Sequence, residues 1–148
     1  MGCGFIFANL PESGKRGRYP ALEPFTKYST HICNEASQLL RLLRTVGSPA
    51  LKGLGDTDVI ATTGVDTFET FIGILGRENL AHVHFVDGNP GGHLVPGDGN
   101  LNLDQALHTL EAFDYKGYLG LEILDRRYVM NPEDAMRRAL AWYSERIG

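Results

Sequence analysis

The sequence predicts an α/β fold of four consecutive βα units, with a parallel sheet curved toward a barrel or half barrel. Two observations predict it. Short apolar runs recur at Ala21-Leu22-Glu23, at 51–56, at 81–87 and at 118–122, and each is followed by turn residues and then by apolar residues at helical spacing. Near the ends of these runs stand Glu23, Asp56, His84 and Glu122, separated by 33, 28 and 38 residues, about one βα repeat each. Polar groups repeated in this way sit at the carboxyl ends of strands, the edge on which parallel α/β folds place their chemistry.

The elements follow in order. Residues 1–20 hold four glycines, three basic residues and two prolines, and beyond Phe5-Ile6-Phe7 show no strand or helix period, so they are read as an irregular leader. Gly14-Lys15 does not complete a phosphate loop, because Asn9 and Arg16 stand where that motif needs Gly and Ser or Thr. Met1-Gly2-Cys3 does not complete an acylation signal, since Ile6 takes the place of its Ser or Thr. Asn34 is the expected N-cap of a helix to Val46, with Leu39, Leu40, Leu42, Leu43 and Val46 inward and Gly47 as its stop. Asp66 and Glu69 resemble a capping box opening a helix that buries Phe68, Phe71, Ile72 and Leu75. Asn102 caps a third helix to Phe113, with Leu103, Ala106, Leu107 and Leu110 inward. Asn131-Pro132 opens the fourth, which presents Ala135, Met136, Ala139, Leu140 and Trp142.

Composition excludes several classes. With 148 residues and 43% hydrophobic content, the chain can bury one core. A net charge of −4 without a long basic run argues against nucleic acid as partner. No apolar stretch is long enough to span a bilayer. Cys3 and Cys33 lack paired spacing, so no disulfide framework is expected and a reducing cytoplasm is the expected compartment.

One imidazole with three carboxylates and no thiolate suits Mn²⁺ first, with Mg²⁺ or Co²⁺ as alternatives, better than a closed structural zinc cage. Glu23 or Asp56 taken singly also fits a solvated strand-end carboxylate; the combination with His84 favours a metal. His82 and His84 share one strand face, because side chains alternate with period two. His84, nearer the carboxyl end, is the expected ligand, while His82 is a hydrogen-bonded core residue or supports the ligands from behind. Asp87 stands where the strand would leave the sheet and suits a turn cap. Five glycines and two prolines surround His93 in the 88–99 loop, where an imidazole can contact substrate.

The segments HVHFVDG, HLVPGDG and YKGYLGLEI, the Asn131-Pro132-Glu133 helix start and LEPFTKY around Glu23 resemble the carboxyl-terminal half of the xylose isomerase-like TIM barrels. Within these the likeness is to sugar isomerases and 3-epimerases of the fructoselysine and tagatose kind. The resemblance implies that residues 21–148 form four βα units of a (β/α)8 barrel, and that Glu23, Asp56, His84 and Glu122 bind a divalent metal. It also implies that Glu23 and Glu122 transfer protons to and from a small sugar, and that His93 meets substrate or, in the endonuclease branch, a further metal. Many such proteins have His three residues after the Asp ligand, where this chain has Val59.

Complete barrels of this kind have eight units in roughly 250 residues, so the resemblance suggests a truncated or frame-disrupted product whose open edges a second copy would cover. A metal-dependent ketose isomerase or epimerase is therefore the leading expectation and a catalytically inert fragment the second. An apurinic-endonuclease-like phosphodiesterase is third, because it would need further metal ligands and a basic groove.

Overall fold

The computed structural model describes residues 5–12 and 15–147, with side chains from Pro20 onward. Met1-Gly2-Cys3 and Gly14 lie outside them. Five strands run in the order of the chain: β1 (Phe5–Glu12), β2 (Lys15–Leu22), β3 (Lys52–Asp56), β4 (Leu80–His84) and β5 (Leu119–Gly120). β2 to β5 pair in parallel, each to the next, giving the predicted four strands of a partial barrel. The irregular leader is corrected for its described part: β1 pairs with β2 antiparallel, Phe5 opposite Leu22 through Glu12 opposite Lys15. Strand pairing is made by backbone groups, so this hairpin forms without the side-chain alternation that sequence reading looks for.

The helices are α1 (Ala36–Val46), α2 (Thr57–Thr63), α3 (Phe68–Leu75), α4 (Leu103–Ala112) and α5 (Pro132–Ile147). Helix α2 is an addition to the expected set, so the second unit carries two helices. The expected cap of α4 forms, Asn102 Oδ1 accepting from Gln105 N–H at 3.1 Å, and α5 starts at Pro132 as expected, with Asn131 Oδ1 accepting from Asp134 N–H at 3.3 Å. Two others are corrected. Asn34 donates its amide to the Phe25 and Thr30 carbonyls, and the Ala36 N–H at the start of α1 is met instead by Asp66 Oδ2 at 3.0 Å. Asp66 is thereby taken from its own helix, where Thr67 caps by accepting from Thr70 N–H at 3.1 Å.

The main core lies between sheet and helices, built by Leu39 and Leu43 of α1, Phe71, Ile72 and Leu75 of α3, Val83 of β4, and Leu103, Ala106 and Leu110 of α4. Val46, expected inward, is exposed. On α5 only the small residues Ala135 and Ala139 are buried, and Met136 and Leu140 of the expected inner face are exposed. A helix turns its apolar stripe to whatever lies beside it, and among the described residues no element covers that side of α5. No helix is long and apolar enough to cross a membrane among the described residues.

Candidate metal centre

The four strand ends are brought into register by parallel pairing. Asp56 and His84 are the last residues of β3 and β4 and stand opposite each other, and His84 pairs across with Gly120 of β5. Glu23 follows β2 directly, and Glu122, two residues beyond Gly120, falls on the same face by the strand period. Gly120 makes the room: a Cβ there would lie 2.6 Å from His82 Nε2 and 3.2 Å from His84 Cδ2.

One ligand atom from each of Glu23, Asp56, His84 and Glu122 lies within 4.8 Å of the others. His84 Nδ1 is 3.0 Å from Glu23 Oε1, 3.2 Å from Glu122 Oε2 and 3.5 Å from Asp56 Oδ2. Asp56 divides its carboxylate between two tasks. Oδ1 caps α2, accepting from Asp58 and Val59 N–H at 2.8 Å each. Oδ2 is buried and has no hydrogen-bond partner; imidazole nitrogens at 3.4 and 3.5 Å attract it without completing a hydrogen bond. A buried carboxylate oxygen without a donor costs free energy unless a cation meets it. Oxygen-rich donors with one imidazole, converging around that oxygen, fit a divalent ion.

The electrostatics agree. Burial alone would lower the pKa of His84, but Asp56, Glu122 and Glu23 push it to about 11. Glu122 is held down at about 2 by hydrogen bonds to His84 and His93. Burial raises the Glu23 carboxyl above its ordinary value, outweighing His84. In Asp56 burial is outweighed by His84 and His93, so its pKa is lowered. Without a metal, protonated imidazoles are the cations that balance three clustered carboxylates.

His93 joins this group, its Nε2 lying 3.4 Å from both Asp56 Oδ2 and Glu122 Oε2. His82 lies behind His84 with the ring edges crossing at a centroid distance of 5.3 Å, and burial lowers its pKa. Asp87 does more than cap one turn: its carboxylate accepts from the N–H groups of Gly88, Gly97, Gly99 and Leu101 and so gathers the glycine-rich loop. The sequence reading missed Asp58, which is 1% exposed and bonded to the loop that carries His93. The run Asp56-Thr57-Asp58, a second acid in the first turn after the cap, was the available signal.

Four parallel strands with flanking helices, carrying an imidazole and three carboxylates at their carboxyl ends, define a partial TIM barrel with a metal-type donor cluster. Residues 9–146 match the xylose isomerase-like TIM barrel model, and the chain belongs to that family. Over 122 residues it is 30% identical to fructoselysine 3-epimerase of Escherichia coli O157:H7, a match covering 80% of this chain and 43% of that protein. The chain thus spans less than half the length of this curated relative. The structure of 3-keto-D-glucoside 4-epimerase from E. coli superposes with a TM-score of 0.70 at 25% identity, covering 84% of this chain and 45% of that one. D-allulose 3-epimerase from Methylomonas sp., solved with D-allulose, has a TM-score of 0.70 at 21% identity, covering 88% and 49%; at that identity the likeness speaks of fold alone.

Proposed function

We propose that the chain carries the metal-binding half of a sugar isomerase or 3-epimerase site and moves protons at the carbon beside a ketose carbonyl. The observation that carries this reading is the buried Asp56 Oδ2, which lacks a hydrogen-bond donor and lies in one cluster with Glu23, His84 and Glu122. The relatives' epimerase activities support a small sugar as substrate. Glu23, Asp56, His84 and Glu122 would hold the ion, with Mn²⁺ the best match to the donors and Co²⁺ or Mg²⁺ next. Such an ion, when bound, polarises a carbonyl and stabilises the negative charge that develops as the neighbouring carbon loses its proton.

The rest falls to side chains of this chain. Glu23 and Glu122 come from the outer two of the four parallel strands, an origin that suits inversion at carbon, in which one carboxyl would take the proton from one face and the other would return a proton to the opposite face. His93, on the same rim, would donate to a substrate hydroxyl, and His82 would keep the His84 ring in place.

The test is incubation with Mn²⁺ and a panel of ketoses in deuterated water. Expected is deuterium at the carbon next to the carbonyl, abolished by Glu23→Gln. A Mn²⁺-loaded chain that exchanges no ketose would refute the reading and favour the second one, an inert half site. That second reading rests on the chain's coverage of only 43–49% of its relatives.

A further inference from the structure

The β3–α2 turn grips the end of β4 and the segment after it at three points. Asp56 meets His84, the last residue of β4. Thr57 Oγ1 donates to the Val86 carbonyl at 2.6 Å and accepts from Val86 N–H at 2.9 Å. Asp58 reaches furthest: Oδ1 accepts from Gly91 N–H at 2.5 Å, Oδ2 accepts from His93 N–H at 3.0 Å, and Oδ2 also lies 3.2 Å from His93 Nδ1. His93 is held with φ of 49°, a left-handed conformation that a non-glycine residue adopts at a cost. The loop makes space for this carboxylate, since a Cβ at Gly88 would overlap Asp58 Oδ1. Asp58 is buried in the first turn of α2, where the N–H groups of a helix start favour a negative charge.

We propose that Asp58 is a positioning residue that fixes both the backbone and the ring of His93, so that His93 Nε2 faces the donor cluster and the imidazole belongs to the metal-side site. This rests on the metal reading above and adds to it Asp58, which lies outside the cluster of Glu23, Asp56, His84 and Glu122. Two bonds to backbone fix where the ring starts, and the contact with Nδ1 fixes its rotation, which leaves Nε2 directed at Asp56 and Glu122. An amide cannot replace the carboxylate. Asn offers one accepting oxygen and a donating NH2, so at least one of the Gly91 and His93 N–H groups would lose its acceptor. His93 is thus the imidazole that the loop brings to the cluster beside His84.

The experiment uses Co²⁺, whose visible absorption reports the groups around the ion, and amide hydrogen exchange in the metal-free chain. Asp58→Asn and Gly88→Ala are each expected to bind one Co²⁺ per chain and to show the absorption spectrum of His93→Ala rather than that of the unaltered chain. A mere loss of stability would not carry the spectrum to that of His93→Ala. Gly88→Ala provides the same test if Asp58→Asn does not fold. Variants that keep the unaltered spectrum, or a His93→Ala chain that also keeps it, overturn the proposal. If the unaltered chain takes up no Co²⁺, the metal reading fails, and exchange decides the role of Asp58 separately. The Gly91 and His93 amides should lose at least about tenfold of their protection in Asp58→Asn while the Val83 amide keeps its own; unchanged protection overturns the hold.

Discussion

His84 is the residue on which the centre turns, because its Nδ1 lies within 3.5 Å of all three carboxylates while the His82 ring meets only its edge, at a centroid distance of 5.3 Å. His84→Ala should therefore reduce Mn²⁺ or Co²⁺ affinity far more than His82→Ala, and calorimetry giving equal losses would overturn the assignment. The same titrations should release protons. With its pKa pushed to about 11, His84 of the metal-free chain carries a proton at neutral pH that an ion must displace. Affinity should rise about tenfold per pH unit for each proton displaced, a count obtained by repeating the titration in buffers of different ionisation enthalpy. For metal-free folding the sign is the reverse. A raised imidazole pKa stabilises fully below its ordinary value of 6.5, and the contribution fades as pH climbs through about 11.

At the scale of elements, helix starts distribute the acceptors. Thr67 and Asn102 serve their own helices, so Thr67→Ala and Asn102→Ala should each cost about 1 kcal/mol, read as a shift in denaturant midpoint at constant slope. Asp66 instead joins two units by reaching back thirty residues to Ala36 N–H. Asp66→Ala should therefore lower stability by a similar amount and loosen the first turn of α1 rather than that of α3, which amide exchange resolves. The same logic explains Asp56. One oxygen starts α2 and the other faces the centre, so the element that was hardest to foresee also orients a residue that was easy to foresee.

For the whole molecule, the edge beyond β5 decides behaviour. Among the described residues Leu119–Gly120 is the last strand of the sheet, and Tyr118 next to it, Leu124 and the α5 residues Met136, Leu140 and Ile147 are exposed. Edge strands and apolar patches of this kind favour association, so the chain should sediment as a dimer or larger species and Met136→Glu with Leu140→Glu should return it to monomer. A monomeric unaltered chain at calorimetric concentrations would contradict this. A second copy repeats the same strand ends and supplies no new kind of rim loop. Positioning can lower a barrier by roughly 7–11 kcal/mol, and residues 1–148 assayed by themselves, with the rim of four units, should exchange deuterium below the roughly 1–10³ per second of ordinary enzymes.

The sequence by itself determined the four parallel units and the convergence of Glu23, Asp56, His84 and Glu122, because each of these residues ends a strand or follows one within two residues and parallel pairing aligns strand ends. It also determined the cap at Asn102, where acceptor and donor lie within three residues, and the start of α5 at Pro132. Tertiary structure alone decided the remainder. Asp58 became a buried clamp only when the loop after β4 folded over it, and Asp66 was drawn to α1 because an unpaired N–H came within reach across two units. The hairpin of β1 and β2 formed through backbone pairing that leaves no period in the residues. Val46, Met136 and Leu140 follow helical spacing, yet they are exposed because spacing says which residues share a face and only the neighbours determine whether that face is covered.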